Sequence, residues 1–116
     1  MKFKNMFSPI QIGPMTVKNR FVVPPMGNNF ANSDGTWSDE SVAYYGERAK
    51  GQFGLITIEA TVVHKGAKGG PKKPCLYDDN SIESLKKITD ACHEEGAKVS
   101  IQLQNAGPEG NAKNAG

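Results

Sequence analysis

The chain has 116 residues, two cysteines and 14 Lys and Arg against 12 Asp and Glu, a formal net charge of +2 at pH 7. Charge this close to balance, with no Lys/Arg cluster interleaved with aromatics, gives no electrostatic footprint for nucleic acid. No run approaches the ~18 apolar residues of a membrane span, and Met1-Lys2-Phe3-Lys4-Asn5 lacks the apolar core of a secretion signal, so the expectation is a cytoplasmic protein without a membrane partner.

In chain order, the first element lies between Phe7 and Lys18, where alternating apolar residues flank Gly13-Pro14 and predict a β-hairpin. In a closed parallel barrel such a hairpin covers the N-terminal end; in an open sheet it extends an edge. Phe21-Val22-Val23 reads as a strand that must stop at Pro24-Pro25, because neither proline donates a ladder hydrogen bond. Met26-Gly27-Asn28-Asn29, immediately after the prolines, is sparsely decorated backbone at a strand's C-terminal edge, where parallel α/β folds place their ligands.

Residues Asp39 to Lys50 predict a helix with Ser38 as N-cap, Val42, Tyr45 and Ala49 on one face, and Gly51 as its stop. Leu55-Ile56-Thr57-Ile58 predicts a parallel strand covered on both faces, ending at Glu59-Ala60-Thr61. The basic, glycine-rich stretch from Lys65 to Pro74 reads as a solvated, mobile loop, or as a segment that attracts phosphate or carboxylate. A second helix, Ser81 to Glu95, has Asn80 as N-cap, Glu83 as capping-box partner, Gly96 as stop, and Ile82, Leu85, Ile88, Thr89 and Cys92 facing inward. Lys98 to Leu103 is a third strand running into Gln104-Asn105-Ala106-Gly107. The order is βαβαβ over residues 1–107, and 108–116 reads as a polar tail or truncated loop, with no apolar residue larger than alanine.

Cys75 and Cys92 are not spaced as metal ligands or as a disulfide framework, which predicts free thiols and no metal. His64 is expected in a surface loop and His93 on a solvated helix face. A (β/α) barrel needs eight units and about 250 residues. Three units leave the outer strands with raw edges carrying Val, Ile and Leu, so the sequence reads as a fragment.

Several separated stretches carry a family resemblance: Met6-Phe7-Ser8-Pro9-Ile10, the run from Val17 to Met26, Tyr44-Tyr45-Gly46-Glu47-Arg48-Ala49, Gly54-Leu55-Ile56 leading to Glu59-Ala60-Thr61, and Gly96-Ala97-Lys98 leading to Gln102-Leu103. In this order, from Phe7 to Gly107, they resemble the old yellow enzyme family of NADH:flavin oxidoreductases, which includes the ene-reductases. The fold implied is α/β: an N-terminal β-hairpin followed by the first three βα units of a TIM (β/α)8 barrel, with FMN across its C-terminal mouth. On that resemblance Pro25, Met26 and Gly27 would face the isoalloxazine near its N5 and O4 side, Ala60 would sit beside the pyrimidine end, and Gln102 would hydrogen-bond that pyrimidine. Ordinary packing for Met26 and a buried core amide for Gln102 are the alternatives.

The implied activity is a two-step cycle in which NADH or NADPH reduces FMN and reduced flavin passes hydride from N5 to the β-carbon of a small unsaturated carbonyl substrate. The substrate-binding His-His or His-Asn pair, the proton-donating Tyr and the phosphate grip are expected beyond residue 116, so no catalytic residue is assigned here. Many bacterial relatives read Gln-Leu-x-His-Ala-Gly-Arg after the third strand; this chain has Gln102-Leu103-Gln104-Asn105-Ala106-Gly107-Pro108, without that His and Arg. The expected partner is the remainder of a barrel or a second copy of the chain. The alternative class is a non-catalytic short binding or assembly module that pairs its strand edges with another chain.

Overall fold

Gly13, at φ +56°, lets the chain reverse between β1 (Ile10–Ile12) and β2 (Met15–Val17), antiparallel strands in the register Ile10↔Val17 and Ile12↔Met15. The computed structural model describes residues 2–111 and 113; Met1, and positions 112 and 114–116 of the expected tail, lie outside the described residues. A short helix, α1 (Lys4–Phe7), precedes the hairpin and was not legible from periodicity. The hairpin forms its own two-stranded sheet and does not extend the edge of the larger one. It is strapped across the sheet's N-terminal end. Asn19 Nδ2 donates to the Gln52 carbonyl at 2.7 Å, and Lys18 Nζ to the Glu95 carbonyl at 2.6 Å, both acceptors just ahead of a parallel strand. The approach is close enough to require glycine at position 54, where a Cβ would stand 2.7 Å from Val17 Cγ1 and 2.6 Å from Asn19 Oδ1.

The larger sheet contains β3 (Val22–Val23), β4 (Leu55–Val62) and β5 (Lys98–Gln104) in the order β3-β4-β5, all parallel. Its crossovers are α2 (Asp39–Lys50) and α3 (Ile82–Glu94). The helices cover one face, and the core between them and the sheet is Val23, Trp37, Tyr45, Ala49, Ile56, Ile58, Ile88, Cys92 and Ala97. The expectation that β4 would be covered on both faces is therefore corrected. Ile56 and Ile58 are fully buried, whereas Leu55 and Thr57 are only half-buried, and Thr57 Oγ1 and Ser100 Oγ pair at 2.8 Å. β4 also runs past Glu59-Ala60-Thr61 to Val62, because Val62 bridges in parallel to Cys75, accepting from Leu76 N–H and donating to the Pro74 carbonyl.

Helix α2 is capped as expected, Ser38 Oγ accepting from Ser41 N–H, with Asp39 and Glu40 complementing the positive N-terminal end. At its C-terminus Gly51 is the cap, but Gln52 at φ +69° makes the left-handed reversal. Helix α3 departs further from expectation. A 3₁₀ turn over Asp79–Ser81 precedes it, the Asp78 side chain accepts from Asn80 N–H, and Ser81 occupies the N-cap position without a side-chain bond, so neither Asn80 nor Glu83 forms a capping box. Ile82 is 58% exposed, not inward, because the extra turn rotates the start of the helix away from the sheet. Gly96 ends the segment at φ +76°.

The segment from Lys65 to Pro74 is solvated only in part: Lys65, Gly66, Gly69, Pro71 and Lys72 are exposed, but the rest is tied down. It opens with a 3₁₀ turn over Lys65–Ala67, and Ala67, Lys68 and Pro74 are buried, with Lys68 Nζ donating to the Ser33 carbonyl at 3.1 Å. The outer strands of this sheet, β3 and β5, carry exposed apolar residues, Val22 and Leu103.

Candidate cofactor site

Register sets the height of the three strand ends. Val23 pairs with Ile56, and Ile58 pairs with Ile101, so the residues just beyond Val23, Ile58 and Ile101 share one C-terminal edge. Pro24 and Pro25 end the β3 ladder, and Met26-Gly27-Asn28 then continues alongside the end of β4. Ala60 falls in the register shift between Ile58 and Thr61, and Gln102 lies between the paired residues Ile101 and Leu103 of the adjacent strand. All five residues singled out from the sequence, Pro25, Met26, Gly27, Ala60 and Gln102, are thereby brought to one edge. Met26 is 46% exposed and is not packed in the core, and Gln102 is exposed, its amide free of hydrogen bonds to described residues.

Glu59, read from the sequence only as part of a strand end, anchors this edge. Although 0% exposed, its Oε2 accepts from Asn28 N–H at 3.1 Å, its own N–H donates to the Tyr45 hydroxyl at 3.0 Å, and its carbonyl accepts from Thr61 Oγ1 at 2.8 Å. Burial pushes the Glu59 carboxyl above the ordinary carboxylate range, opposed by the Asn28 N–H and the Lys73 ammonium. Its Oε1 and the neighbouring Asn28 Nδ2 are both buried without a hydrogen-bond partner. Burial likewise raises the Tyr45 phenol.

Lys73 completes the cluster from the other side. A Cβ built on Gly27 would meet Lys73 Nζ at 3.0 Å and Glu59 Oε2 at 3.8 Å, so the ammonium occupies the space that a side chain at position 27 would claim. The half-buried Lys73 thus differs from its exposed neighbour Lys72, a distinction no sequence signal made. For Glu59 a signal existed: a carboxylate ending an apolar strand run has to be partnered. His64 is exposed and caps the 3₁₀ turn, its Nδ1 accepting from Gly66 N–H, and His93 is exposed on α3. Cys75 and Cys92 are free and buried, and burial pushes the Cys92 thiol up to about 11. Among the described residues no group of His, Cys, Asp and Glu is arranged to hold a metal ion.

The edge suits a planar, amide-bearing ring. It offers the exposed Met26 thioether, a glycine that adds no bulk, the small Ala60 side chain, and the Gln102 amide, which can donate and accept at once. The orphaned Asn28 Nδ2 and Glu59 Oε1 mark the ground beneath it as polar.

Residues 5–115 match the sequence profile of the NADH:flavin oxidoreductase / NADH oxidase family. Among solved structures, the chain is similar to 2-naphthoyl-CoA reductase in complex with 2-naphthoyl-CoA, at 32% identity and a TM-score of 0.91, over 97% of this chain and 17% of that one. It is similar to the old yellow enzyme from Trypanosoma cruzi at 34% identity and a TM-score of 0.88, over 98% of this chain and 30% of that one. Against morphinone reductase in complex with tetrahydroNAD the figures are 29% identity and a TM-score of 0.80, over 87% of this chain and 27% of that one. The chain therefore spans less than a third of the length of these relatives, and its hairpin and βαβαβ sheet correspond to the opening units of their TIM barrels.

Proposed function

Since the chain belongs to the NADH:flavin oxidoreductase / NADH oxidase family, we propose that it supplies the ring-contacting edge of an FMN site, in an oxidoreductase that uses NADH or NADPH to reduce activated C=C bonds of enones or enoates. The observation that carries this reading is the family match over residues 5–115. The shared edge formed by Gly27, Ala60 and Gln102 supports the placement of the ring. Support for the nicotinamide and for an unsaturated acyl substrate comes from the ligands of two relatives, tetrahydroNAD and 2-naphthoyl-CoA. The chemistry FMN supplies when bound is hydride transfer, from the reduced nicotinamide to the flavin and from the flavin to the alkene β-carbon.

The chain's own part is binding and orientation. Pro25, Met26 and Gly27 present a stiff, flat surface to one side of the ring, and Pro24 and Pro25 keep that surface fixed by their locked φ. The Gln102 amide pairs with a carbonyl and an adjacent ring N–H of the pyrimidine, fixing the ring's orientation. Units beyond this chain close the strand edges at β3 and β5 and hold the phosphate and the substrate. The treatment of residues 1–107 as one partial FMN-binding barrel and a cytoplasmic location belong to the same proposal; among the described residues no helix is long and apolar enough to cross a membrane.

One comparison tests the reading. Expressed alone, the chain self-associates through its open strand edges in sedimentation and retains no FMN at micromolar concentrations in a flavin-fluorescence titration. A complete barrel carrying the same residues at its N-terminus binds one FMN per chain. An isolated chain that sediments as a stable monomer and binds no FMN, beside a complete barrel that also binds none, favours the assembly-module class and ends the flavin proposal.

A further inference from the structure

A half-buried cation and a fully buried anion stand together at the C-terminal end of β3. Lys73 Nζ takes the place a side chain on Gly27 would fill, and Glu59 Oε2 lies 3.8 Å from the same Cβ position. Among the described residues the ammonium has no hydrogen-bond partner and makes no direct ion pair, while its charge acts on the Glu59 carboxyl through space. Glu59 itself cannot move. Its carboxylate is pinned by Asn28 N–H from the loop after β3, and its backbone by the Tyr45 hydroxyl from α2 and by Thr61 Oγ1 from its own strand.

We propose that Lys73 sets the charge at this edge: its ammonium, standing over Gly27 beside the Glu59 carboxyl, favours the more negative, reduced form of the flavin over the oxidised form. The inference rests on the FMN reading above and deepens it, because Gly27 is one of the residues placed against the ring. The physical argument is electrostatic. Two-electron, one-proton reduction leaves the ring with added negative charge, and a nearby half-buried cation stabilises that charge. Glu59 acts in the opposite sense, so the pair sets the reduction potential between two limits. Because Oε1 of Glu59 is buried and unpartnered, a charge on its carboxylate is poorly screened.

The experiment is the flavin midpoint potential at neutral pH in a complete, FMN-loaded barrel carrying this chain, for the parent and three variants. Lys73→Met should weaken the preference for reduced over oxidised flavin about tenfold, which lowers the potential by about 30 mV for a two-electron couple. Glu59→Gln, which keeps an acceptor for Asn28 N–H, should shift the potential upward. Lys73→Arg should restore the parental value, which a merely structural role for the side chain would not require. Equal potentials in parent, Lys73→Met and Glu59→Gln, each loaded with FMN, overturn this inference and leave the FMN reading standing. A shift of the same sign in both variants also overturns it. A parent barrel that binds no FMN overturns the FMN reading, and this inference with it.

Discussion

Tyr45→Ala is expected to cost about 3–5 kcal/mol of folding stability, the range for truncating a large buried aromatic. Tyr45 is 1% exposed, sits on α2 against Ile56 and Ile58, and makes an edge contact with the Tyr44 ring at 5.0 Å between centroids. Its hydroxyl also accepts the Glu59 N–H, so one side chain fastens the crossover helix to the strand end that carries the site. Tyr45→Phe separates the two roles. It keeps the ring and leaves the Glu59 N–H unpaired, for an expected loss of about 1–3 kcal/mol. Urea denaturation of the complete barrel carrying each substitution reads both. A Tyr45→Ala midpoint equal to that of the parent would mean that the packing of α2 on β4 is not what holds this end of the sheet.

The architecture was legible because the periodicities that encode it are local. A Gly-Pro reversal between alternating apolar residues gave the hairpin, and Ser38 ahead of Val42, Tyr45 and Ala49 gave α2 with its cap. The paired prolines gave the end of β3 and hence the edge where Pro25, Met26 and Gly27 lie. What failed was set by a competing local bond and by tertiary context. The 3₁₀ turn at Asp79–Ser81 replaced the expected capping box of α3, because Asp78 competes for the same backbone donors through an Asx turn. The Lys65–Pro74 segment looks solvated by composition, yet its Lys68 crosses to the Ser33 carbonyl and its end bridges to Val62, contacts that sequence spacing does not encode.

At the site the same division holds. Ala60 and Gln102 were singled out through the family resemblance, at positions near the ends of strands that periodicity predicts, whereas the Glu59, Asn28 and Lys73 cluster depends on how the loop after β3 folds back over the end of β4. Lys72 and Lys73 are indistinguishable as neighbouring lysines, and only the fold places the second beside Gly27. The expectation that both are solvated therefore fails for Lys73 and holds for the exposed Lys72.

The claim at the centre of this account is that the C-terminal edge of β3, β4 and β5 seats the flavin ring, and Gln102→Leu addresses it most directly. Leucine keeps an aliphatic side chain but can neither donate nor accept, so the pyrimidine edge of the ring is left unpaired, at a cost of about 1–3 kcal/mol in FMN binding. By the usual conversion this is roughly a 5- to 150-fold rise in the FMN dissociation constant. Lys72→Ala serves as the reference substitution, because that side chain is exposed. The measurement is the FMN dissociation constant of the parent, Gln102→Leu and Lys72→Ala barrels by flavin fluorescence. The account predicts weakened binding for Gln102→Leu and parental binding for Lys72→Ala; parental binding in Gln102→Leu together with loss of flavin in Lys72→Ala would contradict it and move the cofactor to the basic loop.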